Sequence, residues 1–269
     1  MCRGLSRSTF SLTPAPFFGD LTVVARTHRL LALASLGLAV AALSAAAARL
    51  AAADGAAVAP VSGKSPAAAY ATDLSAMPVG KPPDELFILN GGFKVVEAGG
   101  NKFLELPGNP LDSFGVLFGP EDQQAAEVSA RISGTAAGRM FPEYGVGTND
   151  AGGWKLWAMP GQGALALRKK DADEVARVPF AFADGKWTRL KLRVAPAAGG
   201  GGDKGGGGTG GGKWQVQGKA WADGEPEPAG WTIAATDDAA PPKGRASVWG
   251  HPYAGTPIRF DDLSAGPAK

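Results

Sequence analysis

The 269-residue chain has one cysteine and two histidines. The cysteine is Cys2, inside a leader-like N-terminal segment, so residues 54–269 have no disulfide, no thiol nucleophile and no cysteine-based metal site. After the leader, His251 is the only histidine. Zinc sites usually combine several His or Cys ligands, which argues against one here, and any Ser-His-Asp triad would have to pass through this single imidazole. The nucleophile elbow Gly-x-Ser-x-Gly is absent. Also absent is Glu-x-Asp-x-Glu, which would place two carboxylates on one strand face for glycoside hydrolysis. No stretch after residue 54 carries a 3.6-residue apolar period, so helices are not expected. A basic surface is missing too. The formal charge is +2, but residues 1–53 hold five Arg and one Asp, leaving 22 basic and 24 acidic residues in the rest. That balance gives no footprint for nucleic acid.

Glycine, alanine and short alternating strands are abundant. Leu30 to Ala53 is an Ala/Leu run preceded by Arg26, His28 and Arg29 and interrupted by Arg49. A basic region, an apolar region and small residues near Ala53 read as a secretory signal over 1–53, with secretion or delivery to a periplasm as the expectation. The long N-terminal region also fits a start codon nearer Val23. An uncleaved membrane anchor is the competing reading, although the apolar run is marginal in length for a span. After signal cleavage no stable membrane insertion is expected. Residues 54–79 are Ala/Pro/Ser-rich without periodicity and read as a disordered linker.

From residue 80 to 266 the pattern is one of strands and turns. Leu190, Leu192 and Val194 alternate with Arg189, Lys191 and Arg193, the period of two of a half-buried strand. Lys213 to Trp221 reads as its hairpin partner, across residues 199–212, of which 11 are Gly. The near P-loop Gly207-Gly-Thr-Gly-Gly-Gly-Lys213-Trp214 lacks the Ser or Thr that would follow Lys, and a strand follows it instead of a helix. It reads as a low-complexity loop. Further strands are expected at 84–89, 93–97, 102–106, 128–132, 144–148, 154–158, 164–168, 175–182, 231–235, 244–249 and 258–263. Turn residues such as Asn90-Gly91, Asp184-Gly185 and Pro160-Gly161 lie between them. This predicts an all-β, antiparallel two-sheet sandwich.

The ordered set Trp154-x-Leu156, Leu165-x-Leu167-x-Lys169, Asp184-Gly185-Lys186-Trp187-x-x-Leu190-x-Leu192-x-Val194, Trp221-x-Asp223-Gly224, Gly244-x-Ala246-x-Val248 and Phe260-Asp261-Asp262-Leu263 resembles the concanavalin A-like lectin/glucanase superfamily. It is similar in particular to laminin-G-like jelly rolls and to the exported bacterial domains known as 3-keto-disaccharide hydrolases. The resemblance implies a jelly roll of two curved sheets whose concave face carries glycan contacts. It also implies that Asp261 and Asp262 are candidates for a structural Ca²⁺ site, although six or more oxygen ligands are needed and the others are not assembled by the sequence. No other cofactor and no other metal is expected.

Aromatic rings stack on the C–H face of sugars while planar polar groups bond the hydroxyls. Trp154, Trp157, Arg139, Asn149, Trp249, His251 and Tyr253 are therefore the expected ligand-binding set. Trp154 and Trp157 fall on opposite faces of one strand, so at least one is expected to face solvent or a groove. Glu143 and Asp150 are the remaining acid/base candidates, and Glu225, Glu227, Asp171, Asp173, Glu174, Asp237 and Asp238 fall in turns. No catalytic residue is assigned. The expectation is an exported, monomeric module that binds a carbohydrate or glycoconjugate without catalysis. The competing expectations are a glycoside-processing hydrolase of the 3-keto-disaccharide type and a structural or protein-interaction sandwich.

Overall fold

The computed structural model describes residues 69–170, 173–198 and 212–269. The expected signal segment, most of the expected linker and nearly all of the glycine run lie outside the described residues. Strands appear in the order β1 (Tyr70–Thr72), β2 (Phe87–Ile88), β3 (Lys94–Ala98), β4 (Asn101–Leu106), β5 (Phe114–Gln123), β6 (Ala126–Gly134), β7 (Glu143–Gly147) and β8 (Trp154–Met159). There follow β9 (Ala164–Lys169), β10 (Asp173–Pro179), β11 (Thr188–Pro196), β12 (Trp214–Ala222), β13 (Ile233–Asp237), β14 (Gly244–His251) and β15 (Ile258–Pro267).

These strands form two antiparallel sheets. The first runs β13-β12-β11-β6-β15-β4-β3, with β1 also pairing to β15, and the second runs β10-β9-β8-β7-β14-β5-β2. The arrangement is an all-β jelly-roll sandwich. Alternation in the sequence sets which side chains enter the space between the sheets. In β11, Leu190, Leu192 and Val194 are fully buried, while Arg189, Lys191 and Arg193 point outward. Antiparallel pairing to β12 aligns Leu192 with Gly218 and Pro196 with Trp214, so the hairpin closes beside the glycine run. At Gly218 a leucine of the opposite sheet comes close to this strand. A Cβ there would lie 2.4 Å from Leu156 Cδ1 of the opposite sheet, so only glycine leaves room for that leucine. Leu156, Leu165 and Leu167 from the second sheet meet Leu190, Leu192 and Val216 from the first in one core.

The sandwich starts earlier than residue 80. β1 pairs with β15 in the register Tyr70↔Ala265 and Thr72↔Leu263, and Leu74 and Met77 enter the core. The 69–79 part of the expected linker is therefore a structural edge, held by two apolar side chains that the Ala/Pro-rich context obscured. β5 was not foreseen either, because Gly119 and Pro120 interrupt its apolar run and its pairing to β14 shifts register between Gly244 and Ala246.

The outer face of the first sheet is covered with charge. Arg131 and Arg189 together contact Asp223, Asp261 and Asp262. Asn101 Nδ2 donates to Asp261 as well. The carboxylates considered for calcium are thus engaged by two guanidinium groups. Among the described residues no cluster of three or more His, Cys, Asp or Glu side chains has a metal-holding arrangement.

Candidate functional site

The second sheet carries the chemistry. Its order places β9, β8, β7, β14 and β5 side by side, so residues at matching registers form rows across the outer face. One row is Gly115, Trp249, Gly145, Trp157 and Ala166. A second pairs Ser247, Gly147, Lys155 and Arg168. At the end of the sheet His251 of β14 lies opposite Glu143 of β7.

The glycines in these rows let the two indoles lie down. A Cβ on Gly115 would come within 2.6 Å of Trp249 Cζ3, and one on Gly145 within 2.7 Å of Trp157 Cε3. Each indole therefore rests on the backbone of a neighbouring strand. The pair form a small second apolar cluster with Met159, Ala164 and Ala166, on the far side of the sheet from the main core. Their N–H groups are satisfied: Trp157 Nε1 donates to Glu143 Oε2 at 2.9 Å and Trp249 Nε1 to Ser247 Oγ at 2.8 Å. That matters because a buried indole N–H left unpaired is costly.

Cations cover the indoles from above. Lys155 Nζ sits 4.0 Å from the Trp249 ring centre and Arg168 Cζ 5.3 Å from that of Trp157, both within the range of attraction to a ring face. The His251 ring meets Trp157 edge-on at 4.6 Å. Trp157 and Trp249 are consequently only 2% and 7% exposed. They form the floor of the site and do not offer open faces for stacking. A cavity of ≈ 30 Å³ remains between Ser113, Lys155, Trp157, Arg168, Trp249 and His251.

Tyr253 is the exposed ring, at 46%. Its hydroxyl is 3.0 Å from His251 Nδ1, and the two rings meet edge to face at 5.2 Å. Partial burial raises the Tyr253 hydroxyl above its ordinary pKa, and the Glu143 carboxylate adds to the rise, so the phenol stays protonated at neutral pH. His251 Nε2 faces Ser113 Oγ in a short hydrogen-bonded contact. Glu143 is held on both oxygens, by Trp157 Nε1 and by Gln162 Nε2 at 3.4 Å.

The structure thus brings together four residues of the expected set: Trp157, Trp249, His251 and Tyr253. The other three stand elsewhere. Trp154 is 2% exposed in the main core, with its Nε1 donating to Asp237 Oδ2 at 3.3 Å. Asn149 is 1% exposed in a left-handed turn, and its Nδ2 lies 2.8–3.1 Å from the carbonyls of Gln123, Gln124 and Pro242. It is a loop clamp, as its Asn-Asp-Ala-Gly-Gly setting allows. Arg139 is exposed between β6 and β7, outside the residues that line the cavity. Asp150, an acid/base candidate, accepts the Arg245 backbone N–H at 2.8 Å and so closes a turn. Ser113, Lys155 and Arg168 were missed. Lys155 and Arg168 alternate with core residues on their strands, a visible signal, whereas Ser113 sits in Asp-Ser-Phe-Gly with none.

No family profile matches the chain, and no curated protein sequence does. Solved structures are similar in fold at low identity. A carbohydrate-binding module (CBM66) from Bacillus subtilis is 12% identical, with 68% of this chain and 95% of that one covered and a TM-score of 0.44. Lectin II from Ulex europaeus is 9% identical, over 74% and 97%, at 0.45. A xylan β-1,4-xylosidase from Bacillus halodurans C-125 is 15% identical, with 73% of this chain but only 38% of that one covered, at 0.44.

Proposed function

We propose that this chain is an exported carbohydrate-binding module that holds a glycan on the outer face of its second sheet without cutting glycosidic linkages. The observation that carries the reading is the half-exposed Tyr253 ring beside His251, with Arg168 and Glu143 close enough to act on its hydroxyl. An aromatic face takes the C–H side of a sugar ring, and guanidinium, imidazole and carboxylate groups take its hydroxyls. The indole floor below keeps that rim rigid, which lowers the entropy lost on binding. Hydrolysis of a glycoside calls for two carboxylates across the bond. Glu143 is already held by two donors, and no carboxylate lines the cavity.

A glycan array probed with the purified chain tests the reading. Binding to at least one glycan class is expected, and Tyr253→Ala and Arg168→Ala should each weaken it about tenfold or more, roughly 1.4 kcal/mol. A folded chain that binds no glycan, or binds equally well with both variants, would show the site is not there.

A further inference from the structure

We infer that Ser113 and His251 form a nucleophile–base pair that hydrolyses small carboxylic esters, an activity separate from glycan binding. The pair is built by strand register: Gly250 of β14 lies opposite Phe114 of β5, which brings the next residue, His251, opposite Ser113. Ser113 Oγ and His251 Nε2 are in direct hydrogen-bonded contact. The other imidazole nitrogen faces a third group, the Tyr253 hydroxyl, at 3.0 Å from Nδ1. With Nδ1–H donating to Tyr253, Nε2 is left as the acceptor that faces Ser113. This is the nucleophile, base and orienting group of the triad logic, with tyrosine in the third place.

The nucleophile is held firmly. Asn90 Nδ2 donates to the Ser113 carbonyl at 2.7 Å, and the Gly115 N–H donates to Asn90 Oδ1 at 3.1 Å, so one side chain grips the backbone on both sides of the strand entry. The cavity beside Ser113 and His251 is also lined by Lys155 and Arg168, which put positive charge near the place where an oxyanion would develop. At ≈ 30 Å³ it has room for about two waters, which suits a short acyl group such as acetyl and excludes a long one.

The chemistry balances without any other reagent. Ser113 Oγ bonds to the ester carbonyl carbon as its proton moves to His251 Nε2. The carbon–oxygen bond to the alcohol then breaks, and Nε2 returns the proton to the departing oxygen. Water attacks the acyl-serine with His251 Nε2 taking its proton; the bond from the acyl carbon to Ser113 Oγ then breaks, Nε2 returns the proton to Oγ, and the carboxylic acid leaves. Tyr253 acts on the reaction through the imidazole and is a positioning residue.

Hydrolysis of 4-nitrophenyl acetate by the full chain tests this with no glycan present, so it succeeds or fails independently of glycan binding. Saturable turnover is expected. Ser113→Ala and His251→Gln should each lower kcat by about 100-fold or more, and the double variant should fall no further. Tyr253→Phe should lower kcat more than it raises KM. A fluorophosphonate should label the unmodified chain on the peptide holding Ser113, a measurement that needs no variant to fold. Turnover equal to that of a folded Ser113→Ala chain, or a label found on another residue or on none, would overturn the assignment.

Discussion

At the scale of single residues, glycine decides the site as much as tryptophan does. Gly115 and Gly145 sit beneath the two indoles with φ values any residue adopts, so the constraint on them is space alone. At Gly145 an added Cβ would lie 2.5 Å from the Leu156 carbonyl oxygen as well as against Trp157, and backbone cannot step aside. At Gly115 the obstacle is only the Trp249 ring. Gly145→Ala should therefore cost about 2–3 kcal/mol and Gly115→Ala about 1–2 kcal/mol, the span for overfilling a packed cluster. Denaturant midpoints give the costs, and tryptophan emission should shift to the red as an indole lifts away from the sheet. Equal and negligible costs would mean the indoles do not lie where described. This arrangement was half legible in the sequence. Period-two alternation put Trp154 and Trp157 on opposite faces, but it could not say that Trp154 takes the core. Nor does a strand's own sequence reveal that the residue opposite Trp249 of β14 is Gly115 of β5, far earlier in the chain.

At the scale of elements, the connection from β12 to β13 acts as a strap across the outer face of the first sheet. Asp223 binds Arg131 and Arg189, Glu227 binds Lys191 and Lys219, and the Pro228 carbonyl accepts from Lys219 at 2.8 Å. Trp231 then stacks with Arg193 and Lys219, at 5.2 and 4.7 Å. Burial by itself would raise the carboxyls of Asp223 and Glu227. Their hydrogen bonds to Arg189 and Arg131, and to Lys191 and Lys219, together outweigh it and hold both groups below the ordinary carboxylate range. The sign follows from that depression. An unfolded carboxylate titrates at about 4, so the strap's contribution is complete above about pH 5 and is lost as pH falls through the lower, folded values. Stability should drop as pH falls below about 5, with amide exchange in residues 223–231 rising first. Glu227→Gln should cost about 1–3 kcal/mol at neutral pH by removing the carboxylate from the nearly buried Lys219, and should shrink the acid-induced drop. A variant with the same acid response as the unmodified chain would remove Glu227 from this account. Here the sequence placed Glu225 and Glu227 correctly in a turn, but it did not show that Glu227 holds Lys191 and Lys219. Charge partners on neighbouring strands, 8 and 36 residues back along the chain, do not show in a linear pattern.

At the scale of the whole molecule, strand periodicity and turn residues were enough for an antiparallel sandwich, because alternation and glycine turns are local signals. What escaped was non-local. Residues 69–79 read as linker because Ala71, Thr72 and Ser75 carry no pattern, although Leu74 is fully buried and Met77 is 7% exposed in the core. Nothing short of the partner strand reveals the role of such a segment. The consequence can be measured by truncation. Starting the chain at residue 80 removes β1, strips β15 of its Tyr70–Thr72 partner over Leu263–Ala265, and takes away the Tyr70 ring that meets Phe118 at 5.7 Å. It also removes the Tyr70 hydroxyl that donates to Glu85 at 3.2 Å. Two buried apolar side chains alone account for about 3–6 kcal/mol at about 1.5–3 kcal/mol each. A single domain has only about 5–15 kcal/mol in total, so the shorter chain should sit close to the edge of folding. A chain beginning at residue 69 retains all of these contacts and should unfold at least about 3 kcal/mol later than one beginning at residue 80. Denaturant titration of the two truncated chains, followed by tryptophan fluorescence, compares them directly, since all seven tryptophans remain in both. Coincident unfolding curves would mean that β1 and Leu74 are an appendage, and that the sandwich is complete from residue 80 onward after all.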